Sequence, residues 1–369
     1  MRAEKLRALL SERYDIGNLE KITRLERGYV NTSYKIETIE DGRRNKYFLR
    51  LYKAGIKEEE IEFEHSIINH LVKKSFSLVA PLLRARDGKT YVKQSQDSLE
   101  AGRGEGTFLS VFEFLPGEDR YTWDNPACSD EELRSGAAVL AQYHDAVSDL
   151  RPDGRRYEPR IIDLLPLVAK NISIAKKKAG KTGFDSYFLE NVRPILKAID
   201  RIRERIDEKA YEDMVHLPIH CDYHPGNLKF QNENISGLFD FDWSKVDVRC
   251  FDVSLAITYF CSTWESGRDG NLELNKTAAF LETYQKTLMG AEGVGPLDEI
   301  ELTFLPDMIA ASNIYVLRWD LEDFYAKRAD PDEYTGYLRH HVRVMRWLED
   351  KKNVRRLEAV VRAAKPRRA

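Results

Sequence analysis

The sequence predicts an α+β chain of two lobes: a small antiparallel β lobe carrying one helix over residues 1–115, then a larger, mainly helical lobe over residues 116–369. Three observations predict it. Strand-like runs in the first third meet at Asp41-Gly42 and Asp87-Gly88, pairs that favour hairpin turns. From Ser129 onward apolar residues recur at helical spacing, opening with Ser129 and Glu132 as a capping box. Between these textures, the apolar strand "FLSVFEFLPG" ends at Pro116-Gly117.

Taken in order, "MRAEKLRALLSERYDIG" is too charged for a signal peptide and reads as a short amphipathic helix. "YKIETIEDGRRNKYFLRLY" reads as two strands around Asp41-Gly42. In "GIKEEEIEFEHSIINHLVKK", Ile61, Glu64, Ile68 and Leu71 share one helical face. "LLRARDGKTYVKQ" repeats the hairpin pattern, so six strands and one inserted helix are expected. Beyond Ser129, Leu133, Ala137, Leu140, His144 and Val147 line one face of a helix, and residues 160–214 give two more long helices. "NLKFQNENISGLFDFDW" reads as two short strands. From Phe251 the pattern is helical again, down to a basic tail "KPRRA".

Composition excludes several classes. With 42% hydrophobic and 32% charged residues the chain is globular, and a net charge of −3 offers no footprint for nucleic acid. No unbroken apolar run approaches the roughly 18 residues that span a bilayer. Cys128, Cys221, Cys250 and Cys261 lack C-x-x-C spacing and read as reduced thiols. A cytoplasmic enzyme is expected, with no nucleic-acid or membrane partner; oligomeric state is left open.

The chemistry concentrates in "HCDYHPGN", His220 to Asn227. Pro225 and Gly226 rule out a regular helix, so a loop (218–230) holds Asp222 and Asn227 five positions apart. Asp240 follows thirteen residues later, at the end of an apolar strand (235–242). Hard oxygen donors of this kind suit Mg²⁺, which binds through one or two carboxylates plus substrate phosphates. An acid beside a reacting hydroxyl, with an amide and a second acid on the metal, is what phosphoryl transfer requires. Asp222 is therefore the expected catalytic acceptor of the hydroxyl proton, and Asn227 and Asp240 the expected Mg²⁺ ligands.

"HCDYHPGN…GLFDFDW…FDVSLA" resembles the aminoglycoside phosphotransferase and choline kinase superfamily, distant relatives of the protein kinases, and the resemblance extends over nearly the whole chain. It implies a protein-kinase-like two-lobed fold, with ATP and Mg²⁺ as cofactors. It also places "RLERGYVNTSYKIE" over the phosphates, with Gly28, Asn31, Thr32 and Ser33 in the turn. On "YFLRLY", alternation puts Phe48 and Arg50 on one face and Leu49 and Leu51 on the other. Arg50 stands where a protein kinase has its phosphate-pairing lysine, a replacement consistent with type II homoserine kinases; a guanidinium fork grips phosphate bidentately. Glu64 is its expected carboxylate partner, Phe48 faces the base, and Glu113 and Phe114 complete the nucleotide set. Asp252 matches the acid that braces the catalytic loop from a helix start. His220 and His224 support that loop, and His144 is expected as a buried, hydrogen-bonded core residue.

Asp240 and Asp252 are only 12 positions apart, which leaves no room for a protein-docking activation segment. The expected acceptor is a small, hydroxyl-bearing, amine-bearing molecule: homoserine-like, an amino sugar, an aminoglycoside or choline-like. Asp242, Trp243, Asp320 and Asp323 are its candidate contacts, the last two from "LRWDLEDFYAKR". A bacterial serine/threonine protein kinase of the same superfamily and a nucleotide-binding pseudokinase scaffold are the alternatives.

Overall fold

The computed structural model describes residues 3–26, 30–94, 107–327 and 330–365. They form two compact units. The first holds residues 1–117 with two later segments, 151–156 and 236–242; the second holds 118–150, 157–235 and 243–369.

In the first unit, helix α1 (Ala3–Arg13) precedes an antiparallel meander of β1 (Asn18–Leu25), β2 (Thr32–Glu40) and β3 (Arg43–Leu51). Asp41 and Gly42 turn β2 into β3 at φ +48° and +77°, the left-handed pair that a two-residue hairpin needs. Helix α2 (Glu58–Lys73), β4 (Val92–Gln94) and β5 (Thr107–Glu113) follow, and the sheet order is β1-β2-β3-β5-β4. Among the described residues five strands form where six are expected. The Leu82–Arg86 stretch contributes an isolated bridge, Leu82 to Phe112, because Pro81 at its head lacks a ladder donor.

Alternation along β5 sorts two cores. Leu109 and Val111 join Ile36, Leu49 and the α1 leucines Leu6, Leu9 and Leu10 on one side; Phe108 joins Tyr52, Ile56, Ile61 and Tyr91 on the other. The sheet thus carries a helix on each face, where the sequence predicts one, because the second apolar face has to be covered as well. Of the later segments, Arg155 N–H donates to Glu59 O at 2.9 Å. Gly154 beside it has φ +72°, and a Cβ there would lie 2.2 Å from that oxygen, so only glycine fits.

The second unit is mostly helical. Its elements are α3 (Asp130–Val147), α4 (Ile161–Lys178), α5 (Gly183–Arg205), α6 (Glu208–Glu212), β6 (His216–Ile219), β7 (Leu228–Gln231), the start of β8 (Asn234–Leu238) and β9 (Lys245–Val248). They continue with α7 (Arg249–Cys261), the short β10 (Ser262–Thr263) and β11 (Asn271–Leu272), α8 (Leu274–Thr287), α9 (Glu299–Lys327), α10 (Pro331–Glu349) and α11 (Lys351–Ala363). The expected capping box opens α3: Ser129 Oγ accepts from Glu132 N–H, and Glu132 Oε2 accepts from Ser129 N–H. Helix α9 is long and apolar enough, by length and composition, to cross a membrane, although charges interrupt every apolar run. Its most apolar window is 78% buried, as befits a core helix.

Two polar clamps tie these helices. Arg249, at the start of α7, is buried and grips Glu301 of α9 bidentately at 2.8 and 2.7 Å, with the Gly295 and Pro296 carbonyls taking further N–H groups. His144 of α3 lies 3.1 Å from Asp252 of α7 and 2.7 Å from the Tyr284 hydroxyl of α8, and neither His144 nor Asp252 has exposed surface. Asp252 only accepts, so Nε2 carries the hydrogen and Tyr284 donates to Nδ1. Burial holds the imidazole below its usual pKa against the opposing pull of Asp252.

Glu301→Ala strands a buried guanidinium and should destabilise by about 3–5 kcal/mol in urea titration; Arg249→Met strands the buried Glu301 carboxylate and should also destabilise. His144 binds a proton in the unfolded chain below about pH 6.5 but not in the folded one, so it contributes stability above that pH that is lost as pH falls. His144→Gln should flatten the decline of melting temperature between pH 7 and 5; an unchanged slope refutes the assignment.

Candidate active site

In the first unit the chemistry gathers on β3, α2 and residues 236–242. Arg50 pairs in register with Ser33 of β2 and Ser110 of β5, which holds its Cα mid-sheet. Its side chain is buried. Nη1 lies 2.7 Å from Glu64 Oε1 and Nη2 lies 2.8 Å from Asp240 Oδ1. The ion pair expected from the apolar face of α2 is thus formed, and Glu62 points elsewhere, accepting from the Tyr91 hydroxyl. Burial alone would lower the guanidinium pKa; Asp240 and Glu64 overcome it, so Arg50 stays cationic. Glu64 is pushed up by burial and by nearby Asp242, with Arg50 opposing. The rings of Phe112, Phe48 and Tyr52 lie 5.8–5.9 Å from the guanidinium carbon.

Strand β8 ends at Leu238, and Asp240 takes φ +70°, a left-handed conformation that Asp tolerates better than most residues. Its carboxylate keeps 32% of its surface exposed, so it faces outward as well as toward Arg50. Asp242, a candidate acceptor contact, is buried and accepts from Asn31 Nδ2 at 2.7 Å, while Asn31 Oδ1 accepts from Lys53 N–H at 3.0 Å. Asn31, expected at the phosphates, therefore spends its amide as a strut between the β3 exit and Asp242. Thr32 and Ser33 begin β2, Thr32 half-buried and Ser33 buried; Gly28 lies outside the described residues. Phe48 is half-buried and meets Phe112 edge-on at 5.8 Å. Glu113 is exposed at the end of β5, and Phe114 beside it is half-buried, with Lys35 Nζ 6.0 Å from its ring centre.

In the second unit, β6 delivers the chain to His220. Cys221 has φ +63°, and two successive N–H groups turn inward: His220 N donates to Asp252 Oδ2 at 2.8 Å, Cys221 N to Oδ1 at 2.9 Å. Burial would raise the Asp252 carboxyl; the hydrogen bonds from His144 and the loop hold it below the usual range. Pro225–Asn227 forms a single 3₁₀ turn, closed by His224 Nδ1 accepting from Gly226 N–H at 3.0 Å. A Cβ at Gly226 would meet the His224 ring at 2.8 Å, so glycine is required. Asn227 Nδ2 donates to both Asp222 O (3.0 Å) and Asp222 Oδ2 (2.9 Å), and His224 Nε2 lies 3.6 Å from Asp222 Oδ1. With its nitrogen committed, Asn227 has Oδ1 as the end that suits a cation. The half-buried Tyr259 ring packs 5.1 Å from His224, a contact that nothing in the sequence signals.

The acceptor candidates on α9 are not a solvated face. Asp320 is buried, accepts from His341 Nδ1 at 2.6 Å, and is pushed up by burial. Asp323 lies 3.5 Å from the Tyr334 hydroxyl, and Trp243 packs edge-on against Trp319 at 4.5 Å. Trp123 and Trp264 pack against His341, the Asp320 partner, and Tyr337 packs on both tryptophans, a group that sequence spacing does not reveal. Among the described residues no cluster of three His, Cys, Asp or Glu side chains could hold a metal ion. Asn227 Oδ1 and the Asp240 carboxylate are each hard oxygen donors, a type that suits Mg²⁺.

Comparison with known proteins places this geometry. Residues 21–288 match the model of the phosphotransferase enzyme family. A homoserine kinase from Parvibaculum lavamentivorans is 27% identical over 92% of this chain and 93% of its own length. Among solved structures, the amicoumacin kinase hAmiN, in complex with AMP-PNP, Ca²⁺ and Ami, superposes with a TM-score of 0.65 at 17% identity, over 95% of this chain and 94% of that one. Choline kinase from Cryptosporidium parvum Iowa II gives 0.62 at 14% identity, over 97% of this chain and 99% of that one. These likenesses confirm the α+β kinase-like fold expected from the sequence. The protein is an ATP-dependent small-molecule kinase with a hydroxyl acceptor, and it belongs to the phosphotransferase enzyme family.

Proposed function

We propose that this chain transfers the γ-phosphate of Mg²⁺-ATP to the hydroxyl of a small, amine-bearing metabolite in the cytoplasm, with homoserine the leading acceptor. The observation that carries the reading is the Asp222 carboxylate. It is part-exposed, oriented by the Asn227 amide, and set on a loop whose backbone is pinned by Asp252. A carboxylate so placed can orient an acceptor hydroxyl and take its proton. The homoserine kinase relative, matched over almost its full length, supports the choice of acceptor.

Each remaining residue has a task. Arg50 holds phosphate oxygens through the guanidinium edge left by its two carboxylate partners, and Glu64 keeps that fork oriented. Asn227 and Asp240 would hold Mg²⁺, which when bound neutralises charge on the phosphates. Phe48, Glu113 and Phe114 would serve the nucleotide end of the sheet, with Thr32 and Ser33 toward the phosphates. Asp320, buried beside aromatic rings, supplies the negative charge an ammonium group would meet, and Asp323, Asp242 and Trp243 are further candidate contacts for the acceptor. Most of the rate enhancement then comes from positioning and charge neutralisation.

Asp222→Asn should lower kcat by about 10³-fold or more while leaving the Kd for AMP-PNP within about 2-fold by calorimetry. Loss of nucleotide binding in that variant would remove Asp222 from its role. In a coupled ADP-release assay over homoserine, choline, amino alcohols and aminoglycosides, homoserine should give the highest kcat/KM. Labelled phosphate appearing in protein and in none of these acceptors would overturn the reading.

A further inference from the structure

Behind the Arg50–Glu64 pair, the first unit holds a row of buried polar side chains with no task in phosphoryl transfer as described so far. Glu64 Oε1 takes Arg50, and its other oxygen, Oε2, lies 3.0 Å from the Tyr52 hydroxyl. Tyr52 in turn lies 3.0 Å from His65 Nε2, with Ser110 Oγ 3.3 Å from the same nitrogen, and His65 Nδ1 lies 2.7 Å from Thr90 Oγ1. Tyr52, Glu64 and His65 are all at most 3% exposed.

The proton positions follow from what each group can do. A carboxylate only accepts, so the single Tyr52 proton goes to Glu64. Tyr52 must then accept from His65, which places the ring hydrogen on Nε2. Burial and the positive charge of Arg50 hold the imidazole neutral, its pKa down at about 3. Its Nδ1 therefore offers a lone pair, which Thr90 fills by donating. The opposite tautomer would set two lone pairs against each other at the 3.0 Å contact between His65 and Tyr52 and leave Nε2 only the longer 3.3 Å contact with the Ser110 hydroxyl, a poor exchange in a buried site.

We propose that Tyr52 and His65 are positioning residues for Arg50: a one-way hydrogen-bond row, Thr90 to His65 to Tyr52 to Glu64, locks the Glu64 carboxylate plane and with it the orientation of the guanidinium fork. The link from the fork to nucleotide rests on the function proposed above; the row itself does not. Sequence spacing carries part of the design. Tyr52 is two residues beyond Arg50 and so on its face of the strand, and His65 adjoins Glu64.

Two measurements test it. Long-range ¹H–¹⁵N spectra of histidine-labelled wild-type protein, with His65→Leu to assign the peak, should show His65 neutral with its hydrogen on Nε2 from pH 8 to 6. A charged ring or the Nδ1–H tautomer overturns the row. This reading needs neither nucleotide nor acceptor, so a wild-type protein that phosphorylates nothing refutes the proposed function and leaves the row judged on its own. In steady-state kinetics, Tyr52→Phe should raise the KM for ATP about 10-fold, as expected for losing a hydrogen bond to a charged group, with the acceptor KM unchanged. His65→Leu should raise it about 3-fold, and the double variant should match Tyr52→Phe alone, because the groups act in series. Additive effects, an unchanged KM for ATP, or an equal rise in both KM values would each refute the positioning role.

Discussion

A guanidinium taken out of water has to be neutralised, and in this protein that constraint organises the first unit. Arg50 is buried mid-sheet, where the Born cost of an unpaired charge would unfold a small β lobe. Glu64 and Asp240 remove that cost at 2.7 and 2.8 Å. The pairing fixes the rotation of α2 against the sheet, because Glu64 must face inward. It also fixes where the chain after β8 must run, because Asp240 has to reach the same cation. A left-handed turn at Asp240 is the backbone strain accepted for that placement.

The second unit solves the mirror problem with a buried anion. Asp252 has no exposed surface and accepts from His144 and from the consecutive backbone N–H groups of His220 and Cys221. Those N–H groups would otherwise be orphaned at the end of β6, so the acid satisfies the loop and the loop satisfies the acid. The loop conformation therefore rests on the packing of α3, α7 and α8, through His144 and Tyr284, more than on its own sequence. Asp222 inherits its direction from this arrangement.

Both devices keep a functional charge ionised by surrounding it with partners that cannot move far. Family membership follows from the match over residues 21–288, and the proposed acceptor contacts lie elsewhere, on α9 and α10, where Asp320 and His341 meet. Those helices carry the least local signal, since a buried acid and a solvated one look alike in a charged helix.

Much was legible from residues alone. Asp41-Gly42 located a hairpin because few other dipeptides adopt two left-handed conformations, whereas at Asp87-Gly88 only the glycine is left-handed and the expected second hairpin does not form; strand alternation put Phe48 and Arg50 together; helical spacing put Glu64 inward; and Pro225-Gly226 marked the loop. These are local rules, set by backbone sterics and side-chain period. The sequence did not reveal that α1 covers the second face of the sheet, that Asn31 is spent on Asp242, that Leu82–Arg86 is too weakly bonded to make a strand, or that Tyr52 and His65 stand behind Glu64. Each of these depends on which groups remain unsatisfied once the elements pack, and hydrogen-bond and burial demands of that kind arise only between segments distant in the chain.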